Sequence, residues 1–352
     1  MRVCAKIDVW ALQNNLQQVK KMAPQSKVLA MVKANAYGHG LLECAAVLDA
    51  HYLGVASLDE ALLLREKGIS KRIVLMGGLA EAINMPFVEE HALDLVVYHE
   101  KHLDLLEQYS GTDRIKVWFK IDTGMHRLGC SMSEAEGLLK RLEKIRAVEI
   151  EAVMTHLAVA DIRNHPHTLA QLSRFSALTQ RWSYPKSVVN SAGLLHYPEF
   201  HLDVVRPGLM LYGLSPCSDR TEKEIGIIPV MQFEAKVLNI LEISSGEGVG
   251  YGLDWIASRP TKIAVVSVGY GDGYPQYPHP EARVKIKGHL TPIVGRVSMD
   301  FMMTDVTDYP DVVVNDSVIL WDANHLVLSP YASLTRVMAR VPRVCNFAPN
   351  LI

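Results

Sequence analysis

The chain has few cysteines and lacks any long apolar run. Its five cysteines, at positions 4, 44, 130, 217 and 345, stand far apart, and no C-x-x-C pair occurs. This spacing predicts neither a disulfide framework nor a zinc site. No run of about 18 uncharged apolar residues is present, and Lys6 and Asp8 interrupt the place where a signal peptide has its apolar core. We therefore expect a cytoplasmic protein that does not enter a membrane.

An excess of charge of either sign is also missing. Lys and Arg total 36 and Asp and Glu total 38 in 352 residues, which gives a formal charge of −2. The balance provides no electrostatic attraction to nucleic acid or to an anionic membrane surface. A small-molecule partner is the remaining expectation, in a globular protein long enough for about two domains.

Short apolar segments recur through the first two thirds of the chain. Between them lie stretches with helical spacing, such as 41–50, 58–68, 100–109 and 133–145. The eight apolar segments are 28–34, 52–57, 73–78, 93–98, 115–122, 149–157, 187–193 and 204–213. Eight alternations of strand and helix predict an α/β fold that is a (β/α)8 barrel, whose strands are buried on both faces.

The pattern changes after Gly213. A polar segment, 215–229, has the Pro and Gly content of a linker, and strand-like segments without helical spacers follow it. We expect a barrel over 8–226 and a mainly β domain over 227–352, with the N-terminal strand 1–7 packed on that second domain. One further helix is predicted over 329–341.

Polar side chains stand where the predicted barrel strands end, which is where barrels place their reactive groups. A lone lysine or histidine at such a place is usually a solvated or structural residue, but here several converge on one barrel mouth. The group comprises Lys33, Lys120, Asp122, Arg127, His156, Asn190, Ser191 and Arg206. It is cationic and poor in carboxylates, so it favours an anionic ligand and argues against a metal site.

The ends of the seventh and eighth predicted strands suggest a phosphate site. Gly193, Pro207 and Gly208 surround them, and Ser191 adds a hydroxyl. A phosphate site combined with Lys33 is typical of a phosphorylated aldehyde cofactor held by lysine, pyridoxal 5′-phosphate. Many barrels bind plain sugar phosphates, so these residues alone leave both possibilities open.

The sequence motifs resemble those of the alanine racemases, two-domain pyridoxal-phosphate enzymes with a barrel followed by a β domain. The resemblance covers nearly the whole chain. It rests on "AKIDVWALQNNL", "MVKANAYGHG", "FKIDTGMHRLG", "MTHLAVAD", "NSAG", "VRPGLMLYG", "VGYG", "VGYGDGYP" and "PIVGRVSMD". The lysine motif and the "DTGMHRLG" motif are the most specific of these.

The resemblance implies a role for each matching residue. Lys33 corresponds to the Schiff-base lysine and Tyr251 to the second catalytic base, with His156 in a supporting network close to the cofactor. Arg206 corresponds to the arginine facing the pyridine nitrogen. The implied phosphate contacts are Tyr37, Ser191, Gly208 and Leu209. Arg127 corresponds to an arginine near both the cofactor's phenolic oxygen and the substrate carboxylate, and Met299 to a substrate-binding residue. Lys120 corresponds to a lysine that can be carbamylated, and Tyr270 and Asp300 to residues that gate the site.

The implied activity is the interconversion of L-alanine and D-alanine by two-base transfer of the Cα proton. In the family the lysine serves the D-isomer, and the tyrosine, from the β domain of a partner subunit, serves the L-isomer. A homodimer with shared active sites is therefore implied, as is D-alanine supply for peptidoglycan or a role in alanine catabolism.

Two alternatives share parts of this pattern. A pyridoxal-phosphate decarboxylase of the same architecture would need a cysteine–aspartate pair in its β domain, where this chain has "VSMD". A non-catalytic pyridoxal-phosphate-binding protein would lack the β domain. One departure from the racemase pattern is that Met338 and Ala339 stand where many members have a phosphate-contacting tyrosine.

Overall fold

The computed structural model describes residues 2–79, 84–322 and 343–346, and the chain divides into two compact units. The α/β unit comprises Gln13–Ala36 and Cys44–Ile227. The mainly β unit comprises the chain up to Leu12, the segment Tyr37–Glu43 and the chain from Ile228 onward. Strand β1 (Val3–Asp8) belongs to the mainly β unit.

Eight parallel strands form the centre of the α/β unit. They are β2 (Lys27–Met31), β3 (Tyr52–Val55), β4 (Arg72–Leu75), β5 (Leu93–Val97), β6 (Ile115–Lys120), β7 (Val148–Met154), β8 (Lys186–Ser187) and β9 (Val204–Val205). Neighbours pair in chain order, and β9 pairs with β2. A bridge between Asn190 and Arg206 joins the ends of β8 and β9 and closes the ring. The predicted barrel is confirmed, and β3 and β5 are buried along their whole length.

Helices connect the strands of the barrel. Those of the described chain are α1 (Val9–Met22), α2 (Lys33–Tyr37), α3 (Leu41–Val47), α4 (Leu58–Glu66), α5 (Met85–Glu90), α6 (Glu100–Gln108), α7 (Ala135–Leu142), α8 (Pro166–Thr179), α9 (Ser191–His196) and α10 (Glu222–Ile225). None of these helices is long and apolar enough to cross a membrane.

Two predicted apolar runs are strands only at their beginnings. In the run 187–193, the side chain of Asn190 accepts a hydrogen bond from the N–H of Gly193 at 3.0 Å, which starts helix α9 instead of extending the strand. In the run 204–213, a 3₁₀ turn occupies Leu209–Tyr212. The predicted linker also carries structure, because Thr221 and Glu224 form a capping box at the start of α10.

The mainly β unit is organised around one long strand, β10 (Met231–Ile243). Its other strands are β11 (Gly248–Val249), β12 (Trp255–Ile256), β13 (Thr261–Val266), β14 (Arg283–Ile286), β15 (His289–Pro292), β16 (Met302–Asp305), β17 (Ser317–Trp321) and β18 (Arg343–Asn346). Strand β10 pairs with β1, β13 and β17. The helix predicted over 329–341, together with Met338 and Ala339, lies outside the described residues.

A polar network fills part of the barrel interior. The buried carboxylate of Asp94 accepts from the Nη2 of Arg72 at 2.5 Å and from the indole Nε1 of Trp118 at 3.0 Å. Arg72 also reaches Glu151 at 3.0 Å, and Glu151 accepts from the hydroxyl of Tyr52 at 2.5 Å. These contacts link side chains of five strands, from β3 to β7, so the charges are paired within the barrel.

Asp94→Ala should destabilise the fold by about 3–5 kcal/mol, because it leaves the Arg72 guanidinium and the Trp118 N–H without their shared acceptor. Equilibrium urea unfolding measures this change. The matched control is Glu136→Ala, which breaks an exposed, solvent-screened ion pair with Lys140 and should leave the unfolding midpoint nearly unchanged. Equal unfolding midpoints for both variants would show that the network does not stabilise the barrel.

Candidate active site

Lys33 follows strand β2 directly, and the chain after it forms a left-handed turn. Residues 34–37 have φ values between 52° and 55°. None of these four residues is glycine, and each costs about 1–2 kcal/mol in this conformation. The N–H of Ala36 donates to the carbonyl of Val32 at 2.8 Å, and the N–H of Asn35 donates to the carboxylate of Glu60 at 3.1 Å. The turn is therefore a strained backbone segment held by specific acceptors.

Glu60 is a residue of this site that the sequence analysis missed. It lies in the first turn of α4, where Ser57-x-x-Glu60 has the pattern of a capping box. Its carboxylate instead accepts from the N–H of Asn35 and, at 2.8 Å, from the N–H of Ala56. The capping-box pattern is the only sequence signal for Glu60, and it predicts a local role at the start of α4. It does not indicate the contact with Asn35, which lies 25 residues earlier in the chain.

The side chains around Lys33 are mainly cationic. Burial and the Arg127 guanidinium lower the pKa of the Lys33 amine, while the Glu60 carboxylate opposes that shift. Burial, Arg206 and Arg127 lower the pKa of Lys120 to about 8. In the described part of the chain, the amine of Lys33 donates no hydrogen bond to the protein. Lys33 is thus an unpaired amine whose neutral form is favoured by its surroundings.

Arg206 is the most deeply buried cation of the group. Its Nη1 donates to the hydroxyl of Ser187 at 2.6 Å, and its Nη2 lies 2.6 Å from the carbonyl of Thr155 and 3.1 Å from that of Val188. Burial lowers its pKa to about 9, so it keeps its charge at neutral pH. Its Nε–H has no hydrogen-bond acceptor within the described ranges.

His156 is held as a neutral imidazole by Arg206. The Nη2 of Arg206 donates to the Nδ1 of His156 at 3.2 Å, so Nδ1 carries a lone pair. Burial, Arg206 and Lys120 also place the pKa of His156 well below its ordinary value. His156 therefore orients the guanidinium and adds no charge of its own to the mouth.

The predicted phosphate corner brings two segments together. The hydroxyl oxygen of Ser191, the first residue of α9, accepts from the N–H of Gly208 at 2.8 Å and of Met210 at 3.3 Å. Because both contacts are accepted, the hydroxyl proton of Ser191 is free to donate to an anion. Leu209, which lies between Gly208 and Met210 in the chain, is the first residue of the 3₁₀ turn. Tyr37 ends the left-handed turn and is half-buried, in the mainly β unit.

Arg127 is presented by a tightly constrained loop. The carboxylate of Asp122 accepts from the N–H groups of Gly124 and Met125 at 2.8 and 2.9 Å. Gly129 has φ +142°, and a Cβ there would lie 2.4 Å from the nitrogen of Asp122. The Arg127 side chain is exposed and forms no ion pair with any residue that the structure describes, so its guanidinium is available to an anionic group.

The remaining predicted site residues lie in loops of the mainly β unit. The N–H of Tyr270 donates to the carbonyl of Ser298 at 3.0 Å, and that of Gly271 donates to Met299 at 2.9 Å, so these loops run together. The Arg2 guanidinium donates to the carbonyl of Asp300 at 2.9 Å.

Tyr251 lies in a separate turn of the same unit, between two glycines with positive φ. Its side chain is 73% exposed, compared with 53% for Met299 and 38% for Tyr270. The predicted residues thus form two sets: a cationic set in the barrel, and an exposed aromatic and apolar set in the loops of the β unit.

The barrel set fits a phosphorylated carbonyl cofactor. Lys33 offers an unpaired amine, Ser191 offers a hydroxyl proton, and Arg206 offers an Nε–H. The surrounding charge favours an anion, since the carboxylates acting on the two lysines are those of Glu60 and Asp122. The fold and these donors define a class of barrel enzymes that use a lysine-bound phosphorylated cofactor.

Comparison with known proteins identifies the family. Residues 7–216 match the alanine racemase N-terminal domain and residues 230–345 match the C-terminal domain. The chain is 40% identical over 348 residues to an alanine racemase of Actinobacillus succinogenes, covering 96% of this chain and 97% of that one. An alanine racemase of Coxiella burnetii is 41% identical over 329 residues, covering 91% and 90%. The chain belongs to the alanine racemase family.

Solved structures agree with this assignment. The biosynthetic alanine racemase of Pseudomonas aeruginosa superposes with a TM-score of 0.92 at 37% identity, covering 98% of this chain and 99% of that one. The alanine racemase of Bartonella henselae, solved with covalently bound pyridoxal phosphate, gives 0.88 at 29% identity and covers 98% and 100%. The family uses pyridoxal phosphate, and the matches over both domains decide against the decarboxylase and the non-catalytic binding protein.

Competitive acetylation of the cofactor-free enzyme tests the pKa values of the two lysines. The extent of acetylation of each lysine is measured at a series of pH values by mass spectrometry of its peptides. Lys33 and Lys120 should become reactive at lower pH than exposed lysines, because burial and neighbouring cations destabilise their charged forms. Arg127→Met removes one of these cations and should move both curves to higher pH. Arg146→Met, on an exposed loop, is the control, and unchanged Lys33 and Lys120 curves in Arg127→Met would refute the electrostatic account.

Proposed function

We propose that the protein interconverts L-alanine and D-alanine, with Lys33 and Tyr251 moving the Cα proton on opposite faces of the substrate. The observation that carries this proposal is the unpaired Lys33 amine, which lies at a strand end and has a pKa lowered by burial and by Arg127. Family membership supplies the reaction. The reaction would supply D-alanine for peptidoglycan or serve alanine catabolism, in the cytoplasm.

Pyridoxal phosphate, when bound, withdraws electrons from the substrate Cα and so makes its proton removable. Lys33 would hold the cofactor covalently through Nζ. The Ser191 hydroxyl, the backbone around Gly208 and Leu209, and Tyr37 would bind its phosphate, and the Nε–H of Arg206 would face its ring nitrogen. Two of these assignments, the Ser191 hydroxyl proton and the Arg206 Nε–H, use donors that have no acceptor among the described residues.

Proton transfer requires a neutral amine on one face. The lowered pKa of Lys33 increases the fraction of neutral amine near pH 7, which is the form that can accept a proton. We assign Lys33 to the Cα proton of D-alanine and the Tyr251 hydroxyl to that of L-alanine. Arg127 and Met299 would bind the substrate carboxylate, and Tyr270 and Asp300 would control access.

Lys120 is proposed to carry a carbamate that fixes Arg127. Carbamylation needs a neutral amine, and the pKa of Lys120 is lowered to about 8. A carbamate would also turn a buried cation beside Arg206 and Arg127 into an anion that can accept from a guanidinium. Added bicarbonate should protect Lys120, and not Lys33, from acetylation. Equal labelling of Lys120 with and without bicarbonate would exclude the modification.

Tyr251 is proposed to act on the site of a second copy of the chain, within a homodimer. Its unit also exposes four other apolar side chains: Leu253, Ile256, Met299 and Phe301. Exposed apolar groups of this kind are typical of surfaces that bind another protein. The same surface would present Tyr251 and Met299 together to the partner's barrel.

Lys33→Ala and Tyr251→Phe should separate cofactor attachment from catalysis. Lys33→Ala should lose the visible absorption of lysine-bound cofactor together with racemisation. Tyr251→Phe should keep that absorption and lose about 10²–10⁴-fold in turnover of L-alanine, because a positioned acid–base group contributes about that factor. The assay couples D-alanine formation to D-amino-acid oxidase, with L-serine and a basic amino acid as further substrates.

The matched control for Tyr251→Phe is Tyr309→Phe. Tyr309 lies in the same unit, and its ring stacks on His289 at 4.3 Å, a contact that does not need the hydroxyl. The control should keep full activity. Unimpaired L-alanine turnover in Tyr251→Phe would contradict the two-base assignment.

A further inference from the structure

A buried histidine, a buried cysteine and an aspartate converge in the α/β unit, outside the residues assigned to racemisation. His196 ends helix α9, and Cys217 and Asp219 lie in the segment between the 3₁₀ turn Leu209–Tyr212 and α10. One ligand atom from each lies within 4.8 Å of the other two. The sequence analysis predicted no zinc site, because the five cysteines stand far apart and form no C-x-x-C pair.

The tautomer of His196 follows from its contacts. Its Nδ1 lies 3.0 Å from the carbonyl oxygen of Ala160, which can only accept a hydrogen bond. Nδ1 therefore carries the proton, and in the neutral ring Nε2 carries a lone pair. The side chain is fully buried, and Nε2 has no hydrogen-bond partner among the described residues.

The unpartnered Nε2 faces a carboxylate. Asp219 Oδ1 lies 3.3 Å from it, so two lone-pair atoms point at each other unless a positive species lies between them. That species is a proton or a metal cation. A separation of about 3.3 Å is also the ligand-to-ligand distance expected for bonds of about 2.0–2.1 Å in a tetrahedral zinc site.

Cys217 favours the metal over the proton. Its sulfur lies 3.8 Å from the Nδ1 of His196, within the cluster whose ligand atoms lie within 4.8 Å of one another, and a thiolate is a ligand that zinc and related metals prefer. A metal cation would replace the thiol proton and balance the negative charge of the thiolate. The Ala160 carbonyl already orients the histidine, as outer contacts do in metal sites.

We propose that His196, Cys217 and Asp219 bind a divalent cation of the zinc class, with water in the fourth position. The site would join two segments that also form the phosphate corner. Helix α9 carries Ser191 at its start and His196 at its end, and the segment that contains Cys217 follows Gly208 and Met210, which donate to Ser191. The role of the cation is structural, because it would hold helix α9 and the segment that contains Cys217 together and would take no part in proton transfer.

The test uses the full-length holoenzyme, stripped with a chelator and desalted, then titrated with Zn²⁺ by calorimetry. One Zn²⁺ per chain should bind. Cys217→Ser and Asp219→Asn should each weaken that binding at least about 10-fold, since even outer contacts of metal ligands contribute 10–100-fold. Asp219 is half exposed, so its amide variant is expected to fold. Co²⁺ in place of Zn²⁺ should give a thiolate-to-metal charge-transfer band that Cys217→Ser abolishes.

Cys44→Ser is the control, because Cys44 is a buried cysteine elsewhere in the same unit and should leave Zn²⁺ binding unchanged. Absence of stoichiometric Zn²⁺ binding would overturn the proposal, as would an affinity that is the same in Cys217→Ser and Asp219→Asn as in the unaltered enzyme. Detection of His196 as an imidazolium by ¹⁵N NMR in the presence of excess Zn²⁺ would identify a proton, and not a metal, between the two side chains. These readouts do not depend on racemase activity.

Discussion

The buried guanidinium of Arg206 is the constraint on which the barrel mouth depends. Removing such a cation from water costs several kcal/mol. A hydrogen bond from a charged donor contributes about 1.5–3 kcal/mol, and the contacts of this guanidinium to Ser187, Thr155, Val188 and His156 together offset that cost. They also join the ends of β7, β8 and β9, two of which have only two residues. Barrel closure therefore relies on this side chain as well as on the strand ladder.

The same cation governs the chemistry of its neighbours. It keeps His156 neutral and lowers the pKa of Lys120. Arg127 likewise lowers the pKa of Lys33. An anionic cofactor would be attracted to these unpaired cations, and its binding would stabilise the folded state. The cations that would attract the cofactor are thus the same ones that lower the pKa values of Lys33 and Lys120.

Much of this arrangement could be predicted from the sequence, because parallel strands in a barrel all end at one mouth. Lys33, Lys120 and Arg206 were placed there by that rule alone. The contact of Glu60 with Asn35 could not be predicted, since it joins residues 25 positions apart. The left-handed turn after Lys33 could not be predicted either, because only Asn35 of its four residues is of a type that favours positive φ, and Ala and Tyr are not.

The short strands and the buried cluster show a second limit. The apolar run 187–193 reads as a strand, but the side chain of Asn190 converts its second half into a helix. His196, Cys217 and Asp219 meet because the strand ends bring α9 next to the segment after β9. Spacing rules detect metal sites whose ligands lie close together in the sequence. They miss sites whose ligands are distant in the sequence and are brought together only by the fold.

The central claim is that Lys33 and Tyr251 act on one substrate from two chains. Co-expression of a Lys33→Ala chain with a differently tagged Tyr251→Phe chain gives a heterodimer that tests it directly. If the site is shared, one of the two sites in the heterodimer keeps both groups, and racemisation should return to about half of the unaltered dimer. A heterodimer as inactive as either parent variant would place both groups in the same chain and contradict the account.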